Sequence, residues 1–178
     1  MRQRAKSLYG QLDHLRELRR EARKALLQEA RQHRACRRLA EVPGLGPIRV
    51  AQVIAAIGSP FRFRTKRQLW AYCGFAVITR SSADYQISGD KLERRHKQAQ
   101  TRGLNQSFSR RLKVAFKGAA LEALKTDAFK KIYERLTGSG VRAEMARLTI
   151  AGKLAAVVLA VWKSGEAYDE RKLSKLAA

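Results

Sequence analysis

The chain has 178 residues, 45% of them hydrophobic, which is room for one domain with a real core plus a helical extension. It carries 38 Lys and Arg against 15 Asp and Glu, a net charge of +23, and such a surplus excludes the mixed-sign surface of an ordinary globular protein. A polyanionic partner, most simply nucleic acid, accounts for it; a merely very soluble basic surface is the alternative.

Residues 1–40 place Leu8, Leu12, Leu15, Ala22 and Leu26 at spacings of three, four or seven, with Glu17, Arg20, Glu21 and Lys24 between them. This predicts one long amphipathic helix. It either folds back on its own domain or pairs with another helix, although Arg19 interrupts a clean coiled-coil seam. The basic end, Arg34 to Arg38, suits a phosphate backbone or a solvated face.

Glu41-Val42-Pro43-Gly44-Leu45-Gly46-Pro47 then breaks the helix and opens a shorter apolar one, running to Gly58 with Val50, Val53, Ile54 and Ile57 as its buried stripe. Gly44 and Gly46 permit a tight turn, and Pro47 suits a first helical turn, where no N–H is needed. Helix, Gly-x-Gly turn and helix together have the form of a helix-hairpin-helix unit, in which free N–H groups meet a phosphate. The reading places Gly44, Gly46 and Arg49 at nucleic acid, against the plainer reading of an interhelical turn.

Phe61 and Phe63 are expected to pack into the same core. Thr65-Lys66-Arg67-Gln68 has capping-box spacing and starts a short helix through Trp70 and Tyr72 that closes at Gly74. Residues 75–87 read as an irregular loop or small hairpin. From Ser88 to Lys117 nine Lys and Arg face two acids, and Lys91, Arg94, Arg95, Lys97, Arg102, Arg110 and Arg111 can neutralise phosphates unless they form only a solvated face. Three helices follow: Asn105 to Leu124, Asp127 to Leu136 capped by Thr126, and Val141 to Lys163, the core helix of the C-terminal half, ended by Gly165. The expected fold is mainly α, a compact multi-helix domain over 41–170 with the connector helix 1–40 before it and a disordered tail, 171–178.

Cys36 and Cys73 lack metal-site spacing and read as reduced thiols of a cytoplasmic protein. His14, His33 and His96 stand apart from one another, so no metal site is legible. The longest apolar run, Leu154 to Trp162, is far short of the roughly 20 residues of a membrane span. No membrane partner is expected.

Val42-Pro-Gly-Leu-Gly-Pro, Ile57-Gly58, Phe61-Arg-Phe-Arg, Gln68-Leu-Trp-Ala-Tyr-Cys-Gly74, the serine pair, Leu112 to Ala120 and Trp162-Lys-Ser-Gly165 occur in an order that resembles the C-terminal domain of insertion-sequence-110 family transposases; Piv-type DNA invertases are similar. The resemblance covers roughly residues 41–170, and the helix before it resembles the coiled-coil connector of that family. It implies a DNA transposase or site-specific recombinase in the prokaryotic cytoplasm, associated with the nucleoid. An N-terminal RuvC-like half, for which no counterpart is found in this sequence, would hold Mg2+ on four acids; this chain itself is expected to hold no cofactor. Partners implied are transposon-end and target DNA, a structured non-coding guide RNA, and a second copy through the N-terminal helix.

The family's nucleophilic serine lies eight residues past the glycine that closes the Gln-Leu-Trp-Ala-Tyr helix. Counting from Gly74 gives Ser82, with Ser81 one short of it, and Ala83 standing where the family often has glycine. Without the resemblance, a serine pair in a polar loop is a turn feature. Serine needs a base or a polarised phosphate to attack; Asp84 is the nearest carboxylate, and Arg80 could hold the scissile phosphate. A non-catalytic nucleic-acid-binding module, or a truncated remnant of a transposase, is the competing reading.

Overall fold

A computed structural model describes residues 2–80, 85–94 and 100–170. In chain order these form α1 (Arg2–Gln32), α2 (Arg34–Leu39), α3 (Pro47–Ile57), a 3-10 turn (Pro60–Arg62), α4 (Lys66–Cys73), β1 (Val77–Arg80), β2 (Tyr85–Ser88), β3 (Lys91–Arg94), β4 (Gln100–Leu104), α5 (Arg110–Ala123), α6 (Asp127–Gly138) and α7 (Ala143–Ser164). The fold is mainly helical, as the sequence implies.

The core is built on α7. Eleven of its 22 residues are buried, among them Ile150, Leu154, Val157, Val158 and Val161, and α2, α4, α5, α6 and the 3-10 turn all pack on it. A helix apolar on every side has to be covered on every side. Its neighbours supply Leu39, Leu69, Phe116 and Phe129, each fully buried. The sequence reading took the apolar run at 154–162 as far too short for a membrane span. The helix containing it is, by length and composition, apolar enough to cross one, but 61% of its most apolar window is buried inside the domain.

The N-terminal helix is not continuous to residue 40. His33 adopts extended angles (φ −86°, ψ 122°) between α1 and α2, and Arg37 Nη1 donates to the Arg31 carbonyl across the break at 3.0 Å. The break lets α2 bury Cys36 and Leu39, so the core begins before residue 41. Beyond it, residues 2–26 of α1 are all exposed, Leu8, Leu12, Leu15 and Leu18 included. Only Ala30 of α1 is buried. The leucine stripe therefore does not fold back on its own domain.

Local chemistry sets the other boundaries. Thr65 Oγ1 accepts from Gln68 N–H at 3.4 Å and Gly74 closes α4 in the left-handed region, φ 75°. The return bond of Gln68 goes to Arg64 N–H at 2.7 Å rather than to Thr65. α5 starts five residues later than the pattern suggested. Asn105 Oδ1 accepts from Ser107 N–H at 3.0 Å, forming a turn, and Ser109 Oγ then caps the helix through Leu112 N–H at 3.5 Å. Thr126 stands at the start of α6, but its hydroxyl donates backwards to the Ala123 carbonyl at 2.7 Å.

The two aromatic residues before α4 part company. Phe63 is buried and packs on Tyr72 with ring centroids 5.4 Å apart. Phe61, expected in the same core, is 74% exposed. The stretch read as an irregular loop or small hairpin holds β1 and β2, each pairing with a strand beyond it: β1 runs antiparallel to β4, with Val77 opposite Leu104 and Arg80 opposite Gln100. β2 and β3 form a hairpin about Gly89-Asp90.

Burial pushes the Cys73 thiol up to about 12. The unfolded chain ionises this thiol near 9 while the folded chain keeps it neutral, so its stabilising effect is complete below pH 9 and fades as pH rises toward 12. Unfolding titrations of the wild type and Cys73→Ala across pH 8.5–11, ranges chosen as about the accessible window, are expected to give a steeper alkaline loss in the wild type. Equal slopes would place Cys73 outside the core.

Candidate nucleic-acid interface

The Gly-x-Gly turn is built into helix packing. Gly44 has φ 80°, and a Cβ placed on it would lie 2.1 Å from the Ala119 carbonyl oxygen of α5. No side chain fits there. Val42 and Leu45 on either side are buried. Arg49 secures the same junction: its Nη1 donates to the Gly44 carbonyl at 3.2 Å, and its guanidinium covers Gly118, where an added Cβ would meet Nε at 3.1 Å. Gly46 differs from both. It is the exposed N-cap of α3, with open space around its Cβ position, so it leaves the first-turn N–H groups accessible.

Arg110 and Arg111 lie elsewhere. They occupy the exposed first turn of α5 and, with Gln52, Ala55, Ala56 and Val114, line a cleft of about 610 Å3 between α3 and α5. Arg49 sits against Gly118 while residues 52–56 face 110–114, so the two helices run antiparallel. The candidates at Gly46 and at Arg110 are thereby held at opposite ends of α3, a helix of 11 residues, or about 16 Å.

Five helices, α1 to α5, open without an acid in the first turn, and three of them, α3, α4 and α5, lie around the candidate site. Each instead carries cations there, Arg49, Lys66 with Arg67, and Arg110 with Arg111. Helix dipoles favour the opposite sign at that end by ~0.3–1 kcal/mol per charge. Cations at these three helix starts add to the positive end of each helix dipole, which suits an external anion.

Sequence reasoning passed over the cations of α4 and α7. Lys66 Nζ lies 5.6 Å from the Trp70 ring centre, and Trp70 Nε1 donates to the Gly152 carbonyl at 2.6 Å, beside Lys153. Burial first, then Arg135 and Lys66 nearby, hold the Lys153 ammonium below the usual lysine range. A signal for this patch was present: from Val42 to Ala83 the sequence has no Asp or Glu.

Ser81 and Ser82, the candidate nucleophiles, lie outside the described residues, as do Asp84, Arg95 and Lys97. What leads to them is well held. Gly74, the glycine from which the serine position is counted, faces the Phe108 ring, which a Cβ would meet at 2.6 Å. Asn105 Nδ2 donates to the Ala71 carbonyl at 3.1 Å, and Asn105 N–H donates to the Ala76 carbonyl at 3.0 Å. These bonds root β1 and β4 on the end of α4. Arg80 ends β1 directly before the serine pair; Arg94 ends β3, Arg102 lies in β4, and Lys91 stands exposed at the hairpin. Among the described residues no three His, Cys, Asp and Glu side chains come together as a metal site.

Residues 36–104 match the sequence model of the Transposase IS116/IS110/IS902 family. The matched segment runs from α2 through β4 and so includes the turn, α4, β1 and the serine pair. It supports a transposase-type, DNA-related function. No curated protein matches the chain.

The two glycines of the turn are expected to answer substitution differently. Gly44→Ala should destabilise by about 2–4 kcal/mol, combining a left-handed φ with a backbone clash. Gly46→Ala, at φ −67° in open space, should change stability by under about 1 kcal/mol. Denaturant unfolding of both variants measures this, and equal losses would contradict the packing described for Gly44.

Proposed function

We propose that this chain is the DNA-binding, serine-bearing half of a transposase, cleaving and rejoining strands through Ser82, with Ser81 the alternative. The observation carrying this reading is the family match over 36–104, which spans the turn, the α4 motif and the eight-residue step from Gly74 to Ser82. The basic surface supports it: Gly46, Arg49, Lys91, Arg110 and Arg111 are the described candidates for phosphate contact, with Arg80, Arg94, Arg95, Lys97 and Arg102 completing the set. Gly44 acts in this scheme by fixing the turn against α5.

In the reaction, Ser82 Oγ forms a bond to the scissile phosphorus as the bond from phosphorus to the leaving deoxyribose oxygen breaks. The Oγ proton passes to a base, for which Asp84 is the nearest carboxylate, and the leaving oxygen takes a proton. Arg80 neutralises the phosphate under attack. Rejoining is the reverse displacement, in which a strand hydroxyl attacks the phosphoserine. By the family resemblance, Mg2+ belongs to a RuvC-like half, where it would stabilise developing charge on the phosphate.

The partners are transposon-end and target DNA, with a structured guide RNA, in the prokaryotic cytoplasm at the nucleoid. The exposed leucines of α1 favour pairing with a second copy. A passive nucleic-acid-binding module is the second reading, and the basic composition supports it equally.

The chain, incubated with a RuvC-like half, Mg2+ and nicked transposon-end DNA, is expected to form a covalent protein–DNA adduct that Ser82→Ala abolishes and Ser81→Ala preserves. Adduct formation in both variants would refute the serine assignment. Tight DNA binding with no adduct in the wild type would establish the passive module.

A further inference from the structure

Phe61 is an exposed aromatic ring on a fixed support. Ser59 caps the 3-10 turn by accepting from Phe61 N–H at 3.4 Å, Arg62 N–H donates to the Ser59 carbonyl at 3.3 Å, and Pro60 is buried beneath. On the other side, Lys163 Nζ donates to the carbonyls of Phe63 at 2.6 Å and Arg64 at 3.3 Å. Both flanks of Phe61 are therefore pinned to the core, while its ring is 74% exposed and joins none of the ring or cation–π pairs among the described residues.

The surroundings are cationic. Arg62, Arg64, Lys66 and Arg67 lie within six residues of Phe61, and none forms an ion pair among the described residues. Arg62 lies 4.6 Å from the centre of the Tyr72 ring, which leaves its charge at the surface. A rigid ring beside several cations that have no acidic partner among the described residues is the arrangement with which proteins hold single strands: the ring stacks on a base, and the cations follow the phosphates. An intact duplex hides its base faces, so this ring meets one only where a strand is unpaired.

Resting on the nucleic-acid reading above, we infer that Phe61 is a stacking platform for an unpaired base, and that Arg62, Arg64 and Arg67 hold the phosphates of the same single strand.

The test uses the whole chain with a 20-nucleotide oligo(dT) and a random duplex as probes, sizes chosen as about one binding site, and measures anisotropy over a salt series. Phe61→Ala is expected to weaken oligo(dT) binding by about 5- to 100-fold with an unchanged salt slope, since a stacking contact releases no counterion. Duplex affinity should remain within about twofold. Phe61→Trp should restore oligo(dT) binding and show emission quenching beyond that of the wild-type tryptophans. Arg64→Ala should instead flatten the salt slope by about 0.7, one phosphate contact on a single strand. Unchanged oligo(dT) affinity in Phe61→Ala overturns the inference while leaving the nucleic-acid reading intact. An equal loss on duplex makes Phe61 a wedge between paired bases and also overturns it. A change in sedimentation mass with binding unaltered assigns the ring to a protein contact. If the wild type binds neither probe, the nucleic-acid reading fails and the inference fails with it.

Discussion

The constraint on which the rest of the structure depends is the need to cover α7. α7, a 22-residue helix, is exposed only toward its ends, at residues such as Met145 and Arg147; from Ile150 to Val161 it is buried almost throughout, and five other elements pack on it. Apolar burial at about 25 cal/mol per Å2 drives this, and among the described residues no polar or charged residue is buried, the one buried side-chain oxygen without a partner being the Tyr168 hydroxyl. The covering helices have to come close. α5 does so with Ala115, Ala119, Ala120 and Ala123, and the turn before α3 reaches α5 only because Gly44 lacks a side chain. The Gly-x-Gly sequence thus answers first to packing, and Gly46 alone of the two glycines faces outward.

The electrostatics run against the fold's own preference. With 38 basic residues to 15 acidic ones, the acids are too few to pair most of the cations one to one, and those at the starts of α3, α4 and α5 stand where the helix dipole disfavours them. Arg16 with Asp13 on α1, and Arg38 of α2 with Glu41 just beyond it, are paired at 3.1 and 3.2 Å, but such exposed pairs contribute little. A polyanion would relieve the repulsion at Lys66, Arg135 and Lys153 and at the helix starts together. Binding would then be coupled to the stability of the domain.

Helices were legible where periodicity and caps agreed. The stripe of Val50, Val53 and Ile57, the Thr65–Gln68 cap and the terminal glycines Gly74 and Gly165 all lie where the pattern put them. Periodicity failed where something other than apolar spacing decided the backbone. His33 breaks the first helix with no proline or glycine to announce it. Asn105 delays α5 by a side-chain turn that competes with helix formation. The small hairpin allowed for 75–87 is where β1 and β2 lie, but their partners β3 and β4 were not read, since residues 88–104 are rich in charge; Val77 and Ile87 are themselves exposed and gave no apolar alternation to follow. Phe61 and Phe63 differ in fate because a 3-10 turn separates the directions of neighbouring side chains, which composition cannot register. Of the candidate site, the cations of the α5 start were readable from charge alone. The patch of Lys66, Arg135 and Lys153 joins three helices distant in sequence and needed the tertiary fold.

The chain of support leading to the serine pair can be followed bond by bond. Trp70 ties α4 to α7 through the Gly152 carbonyl at 2.6 Å. Phe75 N–H returns to the Trp70 carbonyl at 2.8 Å, and Ser109 N–H donates to the Tyr72 carbonyl at 2.9 Å. Asn105 joins both sides, holding α4 at Ala71 and the ribbon at Ala76. The ribbon of β1 and β4 is therefore not a free arm at its base: its first pair, Val77 with Leu104, stands on residues fixed to the most buried helix of the domain. A substitution in this support, at Gly74 or Asn105, would displace the base of β1 without touching a charge. Position and electrostatics are separable here, because the residues that orient the ribbon are neutral and buried or half-buried, whereas the cations stand on helix starts and the hairpin.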